Sequence, residues 1–101
     1  MIANRWTETA AGDLEAIRDY ISRNSPTLAR AVVSRLFVAV TALAQFPDAG
    51  RVVPERGSDT LRELIEPPYR IIYRRRADAV EVLTIFHSAR MFSIVIPGEA
   101  G

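Results

Sequence analysis

The sequence contains no cysteine and no lysine, a single histidine, and no long apolar run. Without cysteine there is no disulfide, no thiolate nucleophile and no cysteine-ligated zinc. One histidine, His87, argues against a histidine-based metal site, and neither metal nor cofactor is expected. No stretch approaches the ~20 apolar residues that span a bilayer. The start, Met1-Ile2-Ala3-Asn4-Arg5, lacks the basic-then-apolar order of a signal peptide. A soluble cytoplasmic protein with no membrane contact is the default expectation. Because lysine is missing, all thirteen basic residues are arginine, although the net charge is only +1. Coding bias accounts for this, since alanine is also abundant. Recognition of phosphate or carboxylate accounts for it equally, because the planar guanidinium fork binds two oxygens at once. Composition alone does not separate the two.

What is present suffices for one small domain over residues 1–101. With 49% hydrophobic residues the chain can build a core. A chain of this length buries only roughly two-thirds of its unfolded surface, so marginal stability is expected.

Ile2 to Trp6 is a short candidate strand. Thr7 is placed to cap a helix, with Glu8 in the first turn where a carboxylate favours the dipole. Ala10, Leu14, Ile17 and Ile21 recur at helical spacing, while Asp13, Glu15, Arg18 and Asp19 fall elsewhere, and the helix should end near Arg23-Asn24. Ser25-Pro26 is a restart signal, a capping serine followed by proline where its missing N–H costs nothing. Leu28, Val32, Leu36, Ala39 and Leu43 form one stripe, widened by Val33, Phe37, Val40 and Ala44; the helix stops before Pro47. This second helix carries more apolar surface than one helix partner covers. It packs on both the first helix and the sheet, or else leaves part of its surface for another protein.

Residues 46–60 form a long connection with Pro47, Gly50, Pro54 and Gly57, which Val52 and Val53 can tack down. Leu61-Arg62-Glu63-Leu64-Ile65 is the next strand, ended by Pro67-Pro68. Tyr69-Arg70-Ile71-Ile72-Tyr73-Arg74 alternates, with Tyr69, Ile71 and Tyr73 on one face and Arg70, Ile72 and Arg74 on the other. After a turn at 75–78, Val80 to His87 is a further strand, followed at once by Ser88, Ala89 and Arg90. Phe92 to Ile96 is a candidate last strand or extended tail. The predicted order is β-α-α-β-β-β: an α+β, two-layer domain with an N-terminal strand and an α-helical hairpin packed on an antiparallel β-meander.

Several conspicuous residues have two readings. Arg70 and Arg74 can pair across the strands with Glu81 or Glu63, or recognise an anion. Arg74-Arg75-Arg76 is a soluble turn or a basic patch. His87 shares strand parity with Leu83 and Ile85, which suits either a half-buried, hydrogen-bonded ring or a chemical role. Arg90 can cap strand carbonyls. Trp6 fits the core where the first strand meets the first helix.

As an ordered set, these residues resemble the ParE branch of the RelE/ParE superfamily of type II toxins, over nearly the whole chain. The resemblance rests on Trp6-Thr7, Ala10, Asp13, Leu14, Ile17, Tyr20 and Ile21, then Leu43, Phe46-Pro47 and Gly50-Arg51. It continues through Leu61-Arg62 and Tyr69 to Arg74, and closes on His87-Ser88-Ala89-Arg90. It implies a toxin that traps DNA gyrase by protein contact, has no catalysis of its own, and is neutralised in a hetero-oligomer with a ParD-like antitoxin. No direct specific nucleic-acid binding by the toxin alone is then expected.

RelE-type relatives instead cut messenger RNA in the ribosome. Their two lysines fall on Leu61 and Glu63 here, and their C-terminal tyrosine on Ile96; only the arginines match, at Arg70 and Arg90. Arginine stabilises charge but does not act as a base at neutral pH. If the chain were a nuclease, Glu63, Arg70, His87 and Arg90 would form its site. On the ParE reading Arg70, Arg74, His87 and Arg90 are the target contacts, and Val33, Phe37 and Val40 face the antitoxin.

Overall fold

Thr7 begins the first helix as its position predicts: its backbone is extended, and its hydroxyl accepts from the amide of Ala10. The computed structural model describes residues 2–53 and 59–89. Helix α1 spans Glu8–Ser22 and α2 spans Pro26–Ala42. Ser25 accepts from the amide of Leu28, with Pro26 in the first turn; such a cap contributes about 1 kcal/mol. The helix α2 ends at Ala42, earlier than Pro47 alone requires, and residues 43–45 continue as turns.

The strands are β1 (Ala3–Trp6), β2 (Arg51–Val52), β3 (Leu61–Glu66), β4 (Tyr69–Arg75) and β5 (Ala79–His87). They form one sheet in the order β1-β5-β4-β3-β2. The meander β3-β4-β5 is antiparallel as expected. The N-terminal strand adds beside β5 in parallel, Ala3 opposite Ala79 and Trp6 opposite Val82, so the sheet is mixed. Two residues of the expected loop, Arg51 and Val52, form β2 on the far edge, and Val53 behind them is buried. The candidate strand Phe92 to Ile96 lies outside the described residues.

One core lies between helices and sheet: Ala10, Leu36, Val40 and Leu43 meet Ile71, Tyr73, Val80, Val82 and Ile85. A second, on the other face, joins Val53, Leu61, Ile72, Leu83 and Phe86. The alternation of β4 is therefore as predicted. That of β5 is not, because the register slips between Ile72, opposite Thr84, and Tyr73, opposite Val82. The extra residue, Leu83, forms a bulge, and side chains on either side of a bulge lose their common parity. Leu83 and Ile85 consequently enter different cores.

The apolar stripe of α2 is also centred differently. Ala29, Leu36 and Val40 are buried, whereas Leu28, Phe37 and Val38 are exposed. Trp6 is partly buried and stacks on Phe37, ring centroids 6.2 Å apart.

Candidate functional site

Charged residues gather on the sheet face away from the helices. Glu63 follows Leu61 by two on β3, so its side chain takes the buried face. Register sets it opposite Arg51 on one side and Ile72 on the other. Arg70 shares the face of Ile72, two residues away. Glu63 is 1% exposed, and its two carboxylate oxygens are taken separately: Oε1 accepts from Arg51 Nε at 2.5 Å, and Oε2 accepts from Arg70 Nη2. Arg70 also lies over the Phe86 ring, 5.5 Å from its centroid. Buried carboxylates persist when paired and hydrogen-bonded in this way.

The loop that carries Arg51 is fixed by Tyr73. The phenol oxygen accepts from Gly50 N at 2.9 Å and donates to Pro47 O at 2.8 Å. Burial pushes this phenol above its ordinary value of 10.0, against a smaller opposing pull from the Gly50 amide and nearby arginines. A Cβ on Gly50 would come 2.6 Å from Glu63 O and 2.7 Å from the Tyr73 ring, so only glycine lets the loop approach so closely. Arg62 donates to Gly50 O at 2.8 Å, and Asp48 bridges to Arg75 at 3.0 Å and to Arg62 at 3.7 Å.

His87 lies elsewhere. It is exposed at the end of β5, opposite Tyr69, whose ring it meets edge to face at 5.8 Å. Its Nδ1 accepts from Ala89 N at 3.1 Å, and Ser88 donates from both N and Oγ to Pro68 O, at 2.7 and 2.8 Å. The half-buried ring allowed by parity with Leu83 and Ile85 does not occur: His87 keeps the face of Ile85 but stands at the exposed end of β5. Glu63 and His87 stand two strands and three residue steps apart, roughly 10 Å in each direction. They belong to opposite faces, since residues 69 and 72 differ by an odd number.

Of the other expected site residues, Arg74 lies on the face of Arg70 and donates to Thr60 Oγ1 at 3.1 Å. It pairs in register with Glu81, yet the ion pair of Glu81 is with Arg76, at 3.2 Å. Arg90 falls outside the described residues. Val33 and Phe37 reach the surface of α2, but Val40, 1% exposed, is core and offers nothing to a partner. The stripe in the sequence does not say which edge of it faces inward.

Two participants have contacts that their place in the sequence does not announce. Arg51 falls in the expected loop, and its pairing with Glu63 depends on the two-residue strand β2. Asp13 was placed off the apolar stripe; it is half-buried, and its Oδ2 accepts from Thr84 Oγ1 at 2.5 Å and from Ile85 N at 3.0 Å, tying α1 to β5. An acid spaced off an apolar stripe but close to a sheet bulge carries no local signal of this.

Residues 5–92 match the family model described as ParE toxin of the type II toxin–antitoxin system parDE. The chain is 42% identical to "Toxin RelE2" of Caulobacter vibrioides over 85% of its length and 94% of that protein. It is likewise 42% identical to "Putative toxin Y4kP" of Sinorhizobium fredii, over 91% and 94% of the two chains. Among solved structures it is similar to a chain of the chromosomal ParDE system of P. aeruginosa, with TM-score 0.71, 29% identity, and 86% and 96% of the chains covered. It is also similar to a chain of the toxin–antitoxin complex RelBE2 of Mycobacterium tuberculosis, with TM-score 0.58, 25% identity, and 85% and 96% covered.

Proposed function

The chain belongs to the ParE toxins of type II toxin–antitoxin systems, and from that premise we propose that it inhibits DNA gyrase by protein–protein contact and is neutralised by a cognate ParD-like antitoxin. On this reading it performs no catalysis and works in the cytoplasm, where gyrase works. The observation that carries the reading is the separation of Glu63 from His87. Cleavage of RNA through its 2′-hydroxyl needs a base and an acid converging on one phosphate. Here the carboxylate is spent on Arg51 and Arg70, on the face of the sheet opposite the imidazole. Arg74, on the same face, suits contact with an acidic protein surface, and His87 and Arg90 would extend the contact, whereas Arg70 is spent on Glu63.

The antitoxin side of the proposal draws on the two solved relatives, which come from a toxin–antitoxin system and a toxin–antitoxin complex. Val33 and Phe37, with Phe37 54% exposed beside Trp6, offer an apolar strip to an amphipathic helix.

A second reading has its own support in the relative named RelE2 and the fold match to a RelBE2 complex. It is a ribosome-dependent messenger RNA endoribonuclease, with a site that does not pair Glu63 with His87. One experiment separates the two: purified toxin added in parallel to gyrase supercoiling with a cleaved-DNA readout and to ribosome-bound message. Trapped cleaved plasmid with intact message is the expected result. Cut message with normal supercoiling would replace the first reading by the second, and no effect in either would leave a non-toxic interaction module.

A further inference from the structure

Between α1 and the ends of β4 and β5 lies an open cleft of about 500 Å³. Its walls include Asp13, Ile17, Tyr20, Tyr69, Phe86 and His87. Among the described residues no arginine lines this cleft. Among the described residues on its walls, the carboxylate of Asp13 carries the formal charge. That carboxylate directs Oδ2 to Thr84 and Ile85, and Oδ1 makes no hydrogen bond among the described residues.

Aromatic faces attract cations through their quadrupole, and a nearby carboxylate adds to the attraction. One of these rings demonstrates the affinity within the chain itself: Arg23 lies over Tyr20 at 5.8 Å. We infer that the cleft is a docking site for an arginine side chain presented by a protein partner, its guanidinium set against Tyr20 and Tyr69 with Asp13 as counter-charge. Charge complementarity argues for this occupant: the cleft offers rings and an anion, and a neutral or acidic segment would leave the carboxylate without a counter-ion. The inference stands whichever target the toxin acts on.

The test is an NMR titration of the full chain with the peptide acetyl-Leu-Arg-Leu-amide and with its citrulline counterpart, which has nearly the same shape and no charge. The arginine peptide should move the ring resonances of Tyr20, Tyr69 and His87 saturably, and the citrulline peptide should bind about tenfold more weakly. Asp13→Asn keeps an oxygen for Thr84 and Ile85 while removing the charge, and should weaken binding by a similar factor. Tyr20 is 69% exposed, so Tyr20→Ala leaves the fold intact; it should weaken binding about 2- to 5-fold. If Asp13→Asn proves unstable, Tyr20→Ala alone decides. Equal binding of both peptides, shifts confined to other surfaces, or full affinity in Tyr20→Ala would overturn the inference.

Discussion

On the helix side of the sheet, Ile71, Tyr73, Val80, Val82 and Ile85 meet Ala10, Leu36 and Val40, with the carboxylates of Asp13 and Glu66 at the margin. On the far side, Glu63 is buried beside Leu61 and Ile72 and is held by two guanidiniums. The first face gains free energy from area, which is additive and forgiving, at roughly 25 cal/mol per Å². The second depends on the buried Glu63 and Arg70 keeping each other, because a buried charge stripped of its counter-ion costs more than any one apolar contact. The difference teaches that the two faces of one sheet tolerate change very differently.

The comparison is tested most severely by Glu63→Ala, which leaves Arg70, 12% exposed at its side chain, without its carboxylate. A loss of about 3–5 kcal/mol is expected in urea denaturation. Trimming the apolar face by Leu36→Ala should cost about 3 kcal/mol, with the fold retained. A larger loss from Leu36→Ala than from Glu63→Ala would invert the ranking.

Tyr73→Phe probes the joint between the faces, since Tyr73 packs in the helix-side core while its hydroxyl holds the loop of Arg51. The buried Gly50 amide would lose its acceptor, at a cost of about 1–2 kcal/mol. The same substitution should alter alkaline unfolding. The Tyr73 phenol is raised in the folded state, so its contribution is complete below the unfolded value of 10.0 and is lost as pH rises through the folded value. Tyr73→Phe should flatten that decline. Smallest is Arg51→Ala: its side chain is 67% exposed and Glu63 keeps Arg70, so less than about 1 kcal/mol is expected.

How much of this could be seen in the sequence depends on the range of the interaction. Thr7, Ser25-Pro26 and the alternation of Tyr69 to Tyr73 announce their elements because capping and strand parity are local. The slip at Leu83 is invisible, because a bulge is decided by the partner strand. For the same reason the sequence leaves open whether Glu63 meets His87, and the register places it with Arg51 instead. The parallel pairing of β1 with β5 and the inward edge of α2, Val40 rather than Phe37, are likewise settled by tertiary packing alone.

The seam between β1 and β5 also bears on how the toxin is made. Ala3 must find Ala79, and Asp13 must find Thr84 and Ile85. A chain is synthesised from its N-terminus at about 5–20 residues per second. The helical hairpin therefore emerges with its apolar side uncovered and waits for β5 before β1 can pair. Pairings so distant in sequence form late, after most of the loop entropy has been lost. Throughout that interval the nascent chain offers its future core to any binder already present, and the finished toxin exists only once β5 has been released.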